Sequence, residues 1–287
     1  LSTDLLSLTP SQQIDLFVRR ALVTYHLDRK DEAINNLKLV LDVDPTHTQG
    51  INLLFQFLQD NLDLESHRDF LQDLRVILRK RDDSQSLSQL NQLLGKSAAR
   101  KGQISIAKAH FQEALQQSPN DINALDLLVK TLIRLRNFEL AKNILLTFLE
   151  SSNGEIELAA KLLLSEIYMD HLDDQEKSLS LALEAVAYDA SSRKGYQLIA
   201  QASGLQRNWP MARKAMESLV DLDAQAGSAV SREARAENLF YLGRCFEIGF
   251  QEDEEALSCY TLACQSDPGN FLPFLAAAAL LSKSASY

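Results

Sequence analysis

Gly95-Lys96-Ser97 ends the way a phosphate-binding loop ends, with a lysine for phosphate oxygens and a hydroxyl for a metal ion. That chemistry needs a second glycine five residues upstream, so that backbone N–H groups can wrap the anion; Leu90 stands there instead. The segment also reads as helix, not as a strand-to-helix loop, so no nucleotide site is expected. His26, His47, His67, His110 and His171 never fall at the HxxxH or HExxH spacing that puts two imidazoles on one helix face. Cys245, Cys259 and Cys264 are odd in number and form no CxxC pair, so they read as small hydrophobes of core helices. No serine sits in a GxSxG elbow. Asp173-Asp174 and the acidic run 252–255 fall in turns between helices, where carboxylates favour the positive end of the helix dipole. Arg79-Lys80-Arg81 is a short basic run in a joint and reads as solvated surface. No catalytic residue, cofactor or metal is expected.

The elements that carry these residues follow a period. In AKAHFQEALQQSPND (107–121), Ala107 and Ala114 lie one turn on either side of Phe111, and the stretch closes on Pro119. One helix is expected over 88–101, a turn at Lys101-Gly102-Gln103, and a second helix over 104–117, which Pro119 ends because proline cannot continue it. Shifted by 34 residues, Leu128, Leu132, Ala141, Leu145, Phe148 and Asn153 fall on the same slots. Ala21, Thr24, Ala33, Leu37, Val40 and Pro45 do so near the start. Leu242, Gly243, Phe246, Ala256, Tyr260, Ala263 and Pro268 do so near the end, with one residue inserted in the turn. The copy at 193–224 offers Ile199, Ala200, Ala212, Met216 and Leu219, and the copy at 158–191 offers Leu164, Tyr168, Ala182 and Ala185 with one extra residue. The copy at 48–81 is the least regular, with His67 at the small slot. Small residues are needed where two helices cross closely, and a ring fills the gap beside them. Thr9-Pro10-Ser11-Gln12 reads as a capping box that starts helix 1 near 10, and Asn208-Trp209-Pro210 as the start of a second helix in the sixth copy.

Paired helices recurring every 34 residues resemble the tetratricopeptide repeat (TPR) over nearly the whole chain. The resemblance implies an all-α fold, a right-handed α–α superhelix of about seven helix pairs plus a C-terminal helix. The repeats are expected near 14–47, 48–81, 88–121, 122–154, 158–191, 193–225 and 236–269, with the terminal helix at 271–283. The joints 80–86, 151–155 and 224–231 are short, so 1–287 reads as one continuous solenoid. The tryptophan usual at slot 4 is absent; Phe17, Ile51, Leu125, Tyr196 and Leu239 replace it, and Asn91 and Lys161 are polar there. The related pentatricopeptide family reads RNA with a similar period, but the acidic balance and the Ala/Phe/Ala/Pro pattern favour the tetratricopeptide reading.

In arrays of this kind the first helix of each pair lines the concave groove, and slots 2, 5, 9 and 12 share its exposed face. On that face stand Gln49, Asn52, Gln56 and Gln59; then Gln89, Gln92 and Lys96 with Arg100; then Asn123, Asp126 and Lys130 with Arg134. Amides both donate and accept, which suits the backbone of an extended peptide, and the cations could pair with its carboxylates. The fifth copy offers Ala159, Leu162, Glu166 and Met169, the sixth Lys194, Gln197 and Gln201, and the seventh Glu237, Phe240, Arg244 and Glu247. Leu162, Met169 and Phe240 make an apolar patch, the second candidate surface. The lysine-and-asparagine clamp that some of these domains use to grip a chaperone's C-terminal carboxylate is missing, because Val18, Leu22 and Leu53, or Asn52, Gln56 and Leu93, occupy its slots.

Apolar residues are 46% and charged residues 24%, ordinary for a folded soluble chain, and 10 Gly with 6 Pro argue against a loop-rich β protein. A net charge of −10 opposes general nucleic-acid binding, which depends on phosphate neutralisation. Residues 1–150 carry 18 basic and 19 acidic side chains, residues 151–287 carry 11 and 20. The longest mostly apolar run, 271–281, is too short to span a bilayer, so no membrane insertion is expected. The chain opens on Leu1 without a basic-then-apolar leader, as a processed chain or excised fragment would. The function expected is a non-enzymatic protein–protein interaction scaffold or adaptor that holds an extended or helical segment of a partner protein. The alternative is the substrate-recruiting array of a larger enzyme such as a glycosyltransferase. Homodimerisation through the C-terminal helix is a further expectation. The compartment is open between cytoplasm and periplasm or envelope.

Overall fold

The computed structural model describes residues 8–60, 64–151 and 154–284, and every regular element among them is a helix. The chain divides into two compact units, 1–137 and 138–287. The first holds α1 (Pro10–His26), α2 (Lys30–Val43), α3 (Thr48–Asp60), α4 (Arg68–Lys80), α5 (Ser84–Arg100), α6 (Ile104–Gln117) and α7 (Ile122–Arg134). The second holds α8 (Phe138–Ser151), α9 (Gly154–Asp170), α10 (Gln175–Tyr188), α11 (Arg193–Leu205), α12 (Trp209–Ala226), α13 (Arg232–Arg244), α14 (Asp253–Ser266) and α15 (Phe271–Ser284). All 10 surplus negative charges belong to the second unit: residues 138–287 carry 12 basic and 22 acidic side chains, and residues 1–137 carry 17 of each.

Local chemistry starts these helices. The Thr9 hydroxyl accepts from the Gln12 N–H at 3.4 Å while the Thr9 N–H donates to the Gln12 side chain at 2.9 Å, so the expected capping box forms and Pro10 follows it. Asp121, Asp174, Ser192, Asn208 and Ser231 cap α7, α10, α11, α12 and α13 more simply, each side chain accepting from a backbone N–H of the first turn. Asp253, Glu254 and Glu255 lie in the first turn of α14, facing its dipole.

In the first unit α1 packs on α2, and α5 packs on α6, each pair antiparallel. The crossing of α5 and α6 shows why the small slots exist. Ala107 and Ala114 are fully buried, and the Phe111 ring between them lies against Gly95, where an added Cβ would come within 2.4 Å of a ring carbon. The glycine of the phosphate-loop lookalike is therefore a packing residue. The second unit repeats the device at Gly243, where a Cβ would meet the Tyr260 ring at 2.6 Å, with Ala256 and Ala263 fully buried alongside.

Three helices begin earlier than the apolar period implied. α5, α9 and α13 start at 84, 154 and 232 instead of near 88, 158 and 236. Asp83 accepts from the Ser86 N–H and Ser231 from the Ala234 N–H, so a polar first turn is held by its cap and not by core contacts. The second copy departs more. His67 is not inside its second helix but directly precedes α4, buried, with its Nδ1 3.1 Å from the Lys38 ammonium. The extra residue of the seventh copy is not in the turn. It is absorbed by a π-helical turn, Cys245–Phe250, that continues α13. The joint expected at 224–231 is shorter than supposed, because α12 runs to Ala226 and a 3₁₀ turn spans Gly227–Ala229. In the joint at 151–155, residues 152 and 153, among them Asn153 of the repeat pattern, lie outside the described residues.

Candidate functional site

The three helices α3, α5 and α7 of the first unit surround a recess of about 740 Å³. Phe55 and Leu127 supply its apolar part, and the rest is polar: Asn52, Gln56, Gln59, Gln85, Gln89 and Asn123 bring six side-chain amides, beside Lys96, Asp121 and Asp126. Asn52, Gln56, Gln59, Gln85 and Asn123 are exposed; Gln89 and Lys96 are half-buried. Lys96 makes no ion pair among the described residues and shares the recess with the carboxylates of Asp121 and Asp126.

The structure separates the expected groove residues into three groups. Asn52, Gln56, Gln89, Lys96 and Asn123 line the recess and are available to a ligand. Gln92 also lines it, but its amide is committed: Nε2 donates to Asp121 Oδ2 at 2.7 Å and to Ser88 Oγ at 3.3 Å, and the side chain is buried. Asp121 is held in turn by the Asn123 and Ala124 N–H groups, so this network ties α5 to the start of α7. The third group is less available. Lys130 is ion-paired to Asp126 at 2.7 Å, one turn apart, so the two charges offset each other. Gln49, Arg100 and Arg134 are exposed but lie outside the recess. Gln85 was not expected, because it sits in the first turn of α5 that the apolar period does not mark; the cap at Asp83 is the signal that reveals it.

Arg79, Lys80 and Arg81 of the basic run are all exposed, and its two arginines make local contacts. Arg75 and Arg79 both donate to the Glu113 carboxylate, the latter at 2.7 Å, and Arg81 reaches the carbonyls of Pro45 and Thr46. Burial raises the Glu113 pKa, but its hydrogen bonds and charge pairing with Arg75 and Arg79 outweigh that and hold the carboxyl below its ordinary value. Burial lowers His110, with the Arg75 charge adding to the effect. Among the described residues no group of three His, Cys, Asp or Glu side chains could hold a metal, and no helix is long and apolar enough to cross a membrane.

The second unit has a recess of different character, about 820 Å³, at α9, α11, α12 and α13. Met169, Leu205, Trp209, Phe240, Tyr241 and Ile248 line it, with Asp170, Glu237 and Arg244 at its edge. Met169, Gln197, Gln201, Glu237, Phe240 and Arg244 are groove-slot residues that converge here, while Lys194 is ion-paired to Glu166 and Glu247 accepts from the Tyr260 hydroxyl at 2.5 Å. Leu205, Trp209, Tyr241 and Ile248 carry no repeat-slot signal. The π-helical turn brings Ile248 to the recess and is braced by Arg213, whose guanidinium lies 4.6 Å and 5.2 Å from the ring centres of Phe246 and Phe250 and pairs with Glu217 and Glu252. Gly249 leaves room for the Trp209 side chain, since a Cβ would sit 2.6 Å from its ring.

No protein-family model and no curated protein sequence matches the chain. Solved structures do match it in shape. The C-terminal part of a TPR repeat-containing protein from Cytophaga hutchinsonii superposes with a TM-score of 0.64 at 15% identity, covering 90% of this chain and 98% of that one. PilF from Pseudomonas aeruginosa gives 0.54 at 12% identity over 96% of this chain and 99% of its own. YrrB, a TPR protein described as having an unusual peptide-binding site, gives 0.52 at 13% identity over 70% and 95%. At these identities the likeness shows the fold, an all-α superhelical array of tetratricopeptide-type helix pairs.

Proposed function

We propose that the chain is a non-enzymatic scaffold that holds a segment of a partner protein along the amide-lined face of α3, α5 and α7. The observation that carries the reading is the convergence of six amides and one unpaired lysine on a single open recess. An extended peptide carries an unmet N–H and C=O at each residue, and side-chain amides can satisfy both. The structural likeness to YrrB supports the reading, since a peptide-binding site is described for that protein. Lys96 favours carboxylates on the peptide, and the Lys130–Asp126 pair tempers that preference.

The test starts from a pull-down with mass spectrometry to identify the partner. Its affinity is then measured for the parent chain and for Lys96→Glu with Lys130→Glu, at low and at high salt. Lys96 faces the recess and Lys130 is exposed, so the fold should survive. Weaker binding at low salt, with the difference shrinking at high salt, is expected. Unchanged affinity at both would remove this face as the site. Self-association through α15 is the remaining part of the reading: Phe271, Phe274, Leu275 and Leu281 point to solvent, and light scattering of the parent chain reads it directly.

A further inference from the structure

We propose that the recess of the second unit docks a basic amphipathic helix, a ligand chemistry different from that of the amide face in the first unit. The inference rests on the scaffold reading and names a partner class for the second groove. Three observations carry it. The first is the exposed apolar lining: Leu205 is 65% accessible, Tyr241 49% and Ile248 45%, and Trp209 lies in the same recess. At about 820 Å³ the recess is of the size that encloses a few side chains, not a whole helix, so a helix would lie along it with one face inserted. The second is the scarcity of polar groups for an extended backbone. Asn238 is spent on Asp223 at 2.8 Å, leaving Gln197 and Gln201 as amides, whereas a helix satisfies its own backbone. The third is charge. Asp170 and Glu237 make no ion pair among the described residues, Arg244 alone opposes them, and the unit as a whole carries 22 acidic against 12 basic side chains. An apolar stripe at i, i+3, i+4 and i+7, flanked by Lys or Arg, meets all three conditions.

The test uses the full chain and a synthetic peptide of about 18 residues with leucine at the stripe positions and lysine elsewhere. One control has the same composition in scrambled order, and another has glutamate for every lysine. Trp209 is the only tryptophan of the chain, so its emission reports the recess directly. The expected result is saturable binding by calorimetry with a blue shift of Trp209, about tenfold or more tighter than either control, a margin of about 1.4 kcal/mol. Asp170→Lys with Glu237→Lys should weaken the lysine peptide and strengthen the glutamate peptide, and Leu205→Gln with Tyr241→Gln should remove the Trp209 shift. All four side chains are exposed, so circular dichroism should match the parent. Equal binding by the scrambled peptide, tighter binding by the glutamate peptide, or binding that leaves Trp209 unshifted would each overturn the proposal. Lys96→Glu with Lys130→Glu should bind the lysine peptide as the parent does; loss of binding there would place the peptide on the first unit and sink the inference. If the peptide fails while the captured partner still depends on Lys96, only this inference falls. A captured partner that ignores both sets of substitutions refutes the scaffold reading itself.

Discussion

Replacing Gly95 by alanine sets two effects of opposite sign against each other. Gly95 lies within α5, where alanine is favoured over glycine by about 1 kcal/mol on intrinsic helix propensity. Against that stands the Phe111 ring: an added Cβ would lie 2.4 Å from Cε1 and 2.8 Å from Cδ1 and Cζ, well inside the ~3.5–4.0 Å separation of unstrained carbons. Phe111 is 1% exposed, with Ala107 and Ala114 fully buried a turn to either side, so the ring has nowhere to swing. Overpacking of a tight core costs about 1–3 kcal/mol, and contact with three ring atoms places this case at the upper end. The net expectation is a destabilisation of about 1–2 kcal/mol, the balance of the propensity gain and the overpacking cost. Urea unfolding followed by circular dichroism measures it, with hydrogen exchange in α5 and α6 to localise the loss, because a repeat array need not unfold as one unit. Gly204→Ala is the matched control: nothing lies within 4 Å of its Cβ position, so it should gain up to about 1 kcal/mol. Combining Gly95→Ala with Phe111→Leu should cost less than the sum of the two alone, since the overlap is then relieved. If Gly95→Ala proves as stable as the parent, or shifts in the same direction as Gly204→Ala, the close approach of ring and backbone is not what holds this crossing.

Ala256→Leu places three more carbons at the fully buried crossing beside Gly243 and Tyr260 and should cost about 1–3 kcal/mol, read as a lower urea midpoint. Deleting 271–287 uncovers the surface of the second unit that Leu280, Ala276 and Ala277 pack against, and should produce aggregation and dye binding; a soluble monomer of unchanged helicity per residue would count against this. Burial pushes the Cys245 thiol up to about 11 and raises Tyr260 as well. Groups with raised folded-state pKa values contribute fully below their unfolded values, near 8.5 for a thiol, and lose that contribution as the pH climbs. Stability should therefore fall between about pH 8.5 and 11, and less steeply in Cys245→Ala.

The repeat was readable because its slots hold residues chosen by shape. Ala33, Ala107, Ala141, Ala182, Ala212 and Ala256 are each 0–1% exposed, and such a position tolerates no bulk, so its spacing survives in the letters. Helix starts were less readable. The first turns of α5 and α13 are Ser84-Gln85-Ser86 and Arg232-Glu233-Ala234, stabilised by caps that any loop could also contain. The amide face was legible as composition, but the state of each side chain depended on partners far along the chain. Gln92 is immobilised by Asp121, 29 residues away, and nothing near Gln92 announces it. The Lys130–Asp126 pair, by contrast, follows from its four-residue spacing alone. The apolar recess was half visible: Met169 and Phe240 lie on groove slots, whereas Ile248 enters through a π-helical turn, and no period anticipates a change of pitch.

The division of charge between the units has a kinetic consequence. Unit one is neutral and unit two carries the whole −10. Beyond the Debye length of about 8 Å at physiological ionic strength both fields are largely screened. Inside it, cations are drawn to the second unit and anions turned away, while arrivals at the first unit are governed by diffusion and fit. Where such charge lines a cleft it raises encounter rates for the favoured sign by about 10- to 1,000-fold, an enhancement that falls steeply with added salt. A basic ligand would thus be drawn toward the second unit, and an acidic one turned from it, before either touches the surface.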